Sequence, residues 1–141
     1  MVEIQIGNSF IVPTPPRSRH LYIIIAPIPE KQKEQWLMVN LTTSHKIDPN
    51  QDCIISPAPD LPNFIRRCST IEYREARASR KNTIIEAVNN GEWIEGGMIP
   101  EKYIYEIQRV GASSKQLIQK YRNILKNIIN DIEEKEKLLK A

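Results

Sequence analysis

The chain has 141 residues, of which 40% are apolar and 26% charged, with a formal net charge of +3. That is the length of one ordinary domain with the balance of a globular chain; it excludes a multidomain enzyme and a disordered polypeptide, and argues against a two-halved nucleotide-binding fold. A charge this small does not by itself point to nucleic acid.

The ten prolines outnumber the five glycines, and they cluster before position 63 with one more at Pro100. The two halves of the chain should therefore differ in architecture: a β half over 1–78 and a helical half over 79–141, sharing a core as one domain. Ser9 to Val12 is a short apolar strand, and Pro13 to Pro16 (PTPP) predicts a stiff extended loop. His20 to Pro27 (HLYIIIAP) is β-branched and aromatic, the pattern of a buried central strand. The charged turn Glu30 to Gln35 leads into Trp36 to Thr43 (WLMVNLTT), close enough to form a hairpin with it. After a polar loop, Asp52 to Ser56 is a short strand. Pro57 to Asn63 cannot be regular structure. Ser69 to Ala76 alternates, with Ile71 and Tyr73 on one face and Glu72 and Arg74 on the other. About five short strands with long loops predict a small antiparallel barrel.

Asn82 to Asn90 carries Ile84, Ile85 and Val88 at helical spacing and stops at Gly91, a suitable C′ residue. Pro100 opens a second helix whose apolar face is Tyr103, Ile104, Ile107 and Val110, with Gly111 at its end. Ser113 and Gln116 form a capping-box start for a third, long amphipathic helix reaching about Leu139. Its first half carries Lys115, Lys120, Arg122 and Lys126 without acids. Asp131, Glu133, Glu134 and Glu136 concentrate in the second half, an order that opposes the macrodipole. Spacings of seven and four place Lys115, Arg122 and Lys126 on one face. That face suits an acidic or polyanionic partner, or plain solvation.

No apolar run approaches the roughly 20 residues of a bilayer span, and the N-terminus lacks the basic and apolar regions of a signal peptide, so the expectation is a cytoplasmic protein. Cys53 and Cys68 have no CxxC spacing and read as two reduced thiols; with only His20 and His45 besides, no metal or other cofactor is expected. GxSxG, HExxH, Walker A and GxGxxG are all missing. Three clusters could carry chemistry. Arg17-Ser18-Arg19-His20 puts cations where a rigid loop feeds a strand. Asn40-Leu41-Thr42-Thr43-Ser44-His45 is a strand ending in hydroxyls that could position a phosphate. Arg66, Arg67, Arg74, Arg77, Arg80 and Lys81 face three acids between Asp60 and Asn82, so this stretch alone carries +3 and the rest of the chain sums to zero. That concentration, more than the overall charge, suits a polyanion.

The order of parts, a strand after Gly7-Asn8, an arginine-bearing loop, HLYIIIA and MVNLTTS, is similar to that of the MazF/PemK family of toxin ribonucleases. In that family a Gly-Asp opens the first strand, an Arg-Pro precedes an aliphatic second strand, and a hydrophobic strand ends in Thr-Ser. The segment from Asp52 through Phe64-Ile65-Arg66 to Ser69-Thr70-Ile71-Glu72-Tyr73 also resembles uncharacterised small bacterial proteins of that type. The likeness covers roughly residues 5–78. It implies an α+β fold with an SH3-like β-barrel and metal-independent endoribonuclease activity on single-stranded RNA. It also implies a homodimer with an antitoxin partner in the cytoplasm. The family's catalytic arginine falls on Arg19, with Arg17 beside it, and its catalytic threonine on Thr42 or Thr43. Ser44, Arg66, Arg67, Arg74 and Arg77 would then hold RNA, and Lys115, Arg122 and Lys126 a protein partner.

The sequence departs from the family at Asn8, where it has Asp, and at His20, where it has Pro. Those departures and the long C-terminal helix motivate an alternative: a non-catalytic nucleic-acid- or protein-binding module, or a regulatory assembly subunit, on the same barrel.

Overall fold

The computed structural model describes residues 3–14, 18–29, 34–43 and 52–140. The fold is α+β, with a curled, barrel-like antiparallel sheet and three helices, as the sequence pattern predicts. Six strands, not five, build the sheet: β1 (Asn8–Thr14), β2 (Ser18–Ile28), β3 (Gln35–Thr42), β4 (Ile54–Ile55), β5 (Ser69–Arg80) and β6 (Ile94–Met98). Their order is β4-β5-β3-β2-β1-β6. The helices are α1 (Lys81–Asn89), α2 (Glu101–Gly111) and α3 (Gln119–Lys140).

The two apolar strands behave as their sequences require. Positions 21 to 26 of β2 are all almost fully buried, because both faces of the sheet are covered. Leu21, Ile23 and Ile25 enter one core with α2 and α3, through Ile104, Ile107 and Leu125, and with Leu117 of the connection between them. Tyr22 and Ile24 enter a second core with Phe10, Met38, Ile84 and Trp93, under α1. The alternation of a single strand thus feeds both layers. Where β2 bulges against β3 between Ile24 and Ala26, the Ile25 carbonyl leaves the ladder. The buried Gln108 side chain of α2 donates to it at 2.8 Å, tying the helix to the irregularity it covers.

Several boundaries move. Pro13 and Thr14 continue β1 instead of starting a loop, with Pro13 opposite Arg19. Among the described residues β6 pairs with β1 only as far as Ile11, so Pro13 sits where β1 is an edge, a position that tolerates proline. Asn8 makes a turn, its Oδ1 accepting from the Gln5 N–H at 2.7 Å; an aspartate oxygen could accept the same bond. β5 runs four residues past Ala76, so α1 follows it without a loop. α1 does end as expected: Gly91 has φ +75°, and the amides of Gly91 and Glu92 return to Val88 and Ala87, a Schellman motif.

The largest departure is β6, a strand within the part expected to be wholly helical. Its sequence, IEGGM, carries two glycines and so does not read as a strand. A Cβ at Gly96 would lie 2.7 Å from Leu21 Cδ1 and 2.8 Å from Ser9 Oγ. The glycine is there because β6 lies directly against β1 and the core, not because the chain turns.

α3 starts at Gln119, six residues after Ser113. Positions 112–118 form turns, with the Leu117 amide returning to the Ser114 carbonyl and the Leu117 side chain fully buried. Lys115 is therefore not on the helix, and the shared face predicted for Lys115, Arg122 and Lys126 does not exist. Leu117, Leu125 and Ile129 belong to buried structure, so α3 is part of the fold and not a detachable arm. Beyond Ile132 its side chains are exposed, with Leu138 and Leu139 at 75% and 86%. No helix among the described residues is long and apolar enough to cross a membrane.

Candidate functional site

Antiparallel register brings the start of β2, the end of β3 and the start of β5 to the same edge of the sheet. Tyr22 pairs with Asn40, and Thr42 with Thr70. Arg19 and His20 therefore stand beside Thr42 and Thr43, and the chain entering β5 passes over them. The result is a cleft of about 390 Å³. The buried Leu41 and Ile65 line it together with Arg19, His20, Thr42 and Thr43 from the ends of β2 and β3, and Phe64, Arg66, Arg67 and Ser69 from the chain entering β5. Among the described residues, three guanidinium groups and no carboxylate line it.

The loop that carries Phe64, Arg66 and Arg67 is held from below. Leu61 and Ile65 are buried in the core, and their amides return to the carbonyls of Ala58 and Pro62. Ser69 Oγ donates to the Arg67 carbonyl at 3.0 Å where the loop joins β5. Asp60 ties the loop to α2, accepting from Tyr103 Oη at 2.8 Å and pairing with Lys102 Nζ at 3.0 Å. The Lys102 ammonium and, after it, the Tyr103 hydroxyl hold the Asp60 carboxyl below the usual carboxylate range. Both partners are exposed, so the tether matters for where the loop sits more than for global stability.

Of the residues proposed from the sequence, Arg19, Thr42, Thr43, Arg66 and Arg67 meet in this cleft. Arg17 and Ser44 lie outside the described residues, as does His45. Arg74 is exposed on β5 and does not line the cleft. Arg77 lies in the other layer: its guanidinium carbon is 5.0 Å from the centroids of both Tyr22 and Trp93. Arg122 donates to Gln119 Oε1 at 2.8 Å, and its buried Nε has no hydrogen-bond partner among the described residues; Lys126 is exposed on α3. Phe64, His20 and Ser69 are lining residues that the site assignment from sequence lacks. An aromatic beside a pair of arginines in a proline-rich loop is the signal that could have found Phe64.

Cys53 is buried beside Tyr73, and burial, followed by the Glu106 carboxylate, pushes its thiol up to about 12. Burial likewise pushes the Tyr73 phenol up; its hydroxyl donates to the Ile107 carbonyl at 2.7 Å. A thiol held this firmly in its protonated form is a packing group, not a nucleophile. Among the described residues no three His, Cys, Asp or Glu side chains gather as a metal site. A second groove of about 780 Å³ runs between Ile6, Met98 to Lys102 and the Ile128–Ile132 stretch of α3. It is mainly apolar and no arginine lines it among the described residues, so it differs in chemistry from the first.

Comparison of the chain with family models, with curated proteins and with solved structures finds no match.

Proposed function

We propose that the protein is a metal-independent endoribonuclease of the PemK/MazF toxin type, acting on single-stranded RNA in the cytoplasm. The observation that supports this reading is the convergence of Arg19, Thr42 and Thr43 with Arg66 and Arg67 in one cleft that no carboxylate lines among the described residues. The chemistry asked of it is transesterification. The ribose 2′-oxygen attacks the adjacent phosphorus, the 5′-oxygen leaves, and a 2′,3′-cyclic phosphate forms. Extra negative charge develops on the non-bridging oxygens in the transition state. In this reading Arg19 pairs with that charge and a threonine hydroxyl donates to a non-bridging oxygen; preorganised donors of this kind typically contribute about 10²–10³ in rate each. The His20 imidazole stands in the same lining and can accept and return a proton. Arg66 and Arg67 hold flanking phosphates.

Expression of the wild type should arrest growth, and Arg19→Ala should relieve the arrest while leaving the fold intact. If the wild type neither arrests growth nor cuts single-stranded RNA, the enzymatic reading fails. A homodimer and an acidic antitoxin belong to the same reading, and sizing of the protein alone and with the product of a neighbouring reading frame tests them.

The outer end of α3 favours a second reading, an assembly subunit, because Leu138 and Leu139 stand exposed on a helix end that packs on nothing among the described residues. Truncation after Gly111 would remove the buried Leu117 and Leu125, so it tests the fold instead. Truncation after Ile132 is the variant that should abolish a complex without unfolding the domain.

A further inference from the structure

The loop over the cleft places one aromatic ring where its neighbours are not. Leu61 and Ile65 of the same loop are buried to 6% and 7% exposure, whereas Phe64 keeps 40% of its surface in solvent. A phenylalanine beside two anchors that reach the core could have joined them. Instead it lines the same cleft as Arg19, Arg66 and Arg67. The loop beneath it is fixed by two buried side chains, by local amide bonds and by the bonds of Asp60 to Lys102 and Tyr103 of α2. The ring is thus presented on a fixed base, at little entropic cost to a ligand that covers it.

A phosphate or an acidic peptide would be served by the arginines and hydroxyls alone. A flat apolar face next to cations and hydroxyls suits a ligand that is planar at one end and anionic at the other. A nucleotide with its base turned out of a helix has that form, and base–aromatic stacking accepts any base because each has a π-face. On the nucleic-acid reading of the cleft, we infer that Phe64 is the stacking platform for an unpaired base. The Arg19 side of the cleft holds the phosphate attached to that nucleotide. Duplex RNA is excluded because its bases cannot reach the ring without unstacking.

The test compares two uncleavable ligands of equal length. One is a short 2′-O-methylated oligoribonucleotide, which lacks the attacking hydroxyl. The other is the same sugar-phosphate chain without bases. Affinities are read by fluorescence anisotropy at one fixed salt concentration. Phe64→Ala should weaken binding of the base-bearing chain by roughly 5- to 150-fold and leave the abasic chain unchanged. Phe64→Leu, which keeps apolar bulk and loses the flat face, should follow Phe64→Ala, and Phe64→Trp should bind like the wild type. Arg66→Ala should weaken both ligands alike. An equal loss on both ligands in Phe64→Ala, no loss on either, or a duplex that competes as well as the single strand would overturn the stacking role while the cleft remains a nucleic-acid site. A wild type that binds neither chain overturns the nucleic-acid reading itself, and the role of Phe64 with it.

Discussion

Gly111 sits where sheet, α2 and α3 meet, and its replacement by alanine tests whether the helical elements are one packed unit with the sheet. Two effects oppose each other. Alanine is the better helix former by about 0.8–1.0 kcal/mol in a helix interior, and by less at the last helical position that Gly111 occupies. Against this, a Cβ there would stand 2.7 Å from Leu125 Cδ1 and 2.8 Å from Tyr73 Cε1. Ordinary carbon contacts are about 3.5–4.0 Å, so both neighbours must give way by roughly 1 Å. Neither is free to do so: Leu125 is fully buried, and the Tyr73 ring is pinned by its hydroxyl bond to the Ile107 carbonyl. Overpacking of this kind costs about 1–3 kcal/mol, leaving Gly111→Ala less stable by about 1–2 kcal/mol. In a domain of this length that lowers Tm by roughly 3–8 °C. Urea and thermal unfolding followed by circular dichroism measure it. The double variant with Leu125→Ala, which opens room at the same place, should lose less than the sum of the two single losses. A Gly111→Ala protein as stable as the wild type, or more so, would refute the claim that α2 presses against Tyr73 and Leu125.

Arg77→Ala should cost about 0.5–2 kcal/mol by removing the cation held between Tyr22 and Trp93, and should leave RNA affinity unchanged, since this side chain belongs to the opposite layer. Loss of RNA binding in that variant, measured by anisotropy, would contradict its placement. Arg66→Ala and Arg67→Ala should each weaken RNA binding and flatten the dependence of log K on log salt by about 0.7, one phosphate contact on a single strand apiece. A slope identical to that of the wild type would remove them from the interface. Cys53 sets a pH dependence. Its thiol keeps its proton up to about 12 in the fold and loses it near its ordinary value of 9.0 once unfolded. Its contribution to stability is full below pH 9 and falls as pH rises from there toward 12. Urea midpoints between pH 8 and 11 should thus fall less steeply in Cys53→Ala than in the wild type. Native-state thiol labelling should modify the exposed Cys68 and spare Cys53.

Much of the sheet can be read in the sequence because β2 and β3 are continuous apolar runs, and such runs are strands wherever both faces are covered. That Arg19, Thr42 and Thr43 line one cleft is legible for the same reason. Once the β2–β3 hairpin is recognised, antiparallel pairing puts Arg19 at the start of one strand beside Thr42 and Thr43 at the end of the next. Arg77 was not legible. Strict alternation from Ile71 and Tyr73 would place it on their face, but between Met38 and Asn40 of β3 the register of β5 jumps from Arg77 to Glu72. That bulge moves Arg77 to the opposite layer, and nothing in the local residues announces it. β6 was hidden because its glycines serve a close approach that only the tertiary structure creates. Lys115 was misplaced because Ser113 and Gln116 form a plausible capping box, yet burying Leu117 favours a turn over a helix there.

The most direct test of the proposed activity is cleavage of a single-stranded RNA in the presence of EDTA, with the product ends identified by mass spectrometry. The account predicts a 2′,3′-cyclic phosphate on one fragment and a 5′-hydroxyl on the other. It also predicts no cleavage of a 2′-deoxy chain, and a loss of rate in Arg19→Ala of about 10² or more. An RNA left intact by the wild type, or one cut to 3′-hydroxyl ends, would contradict it.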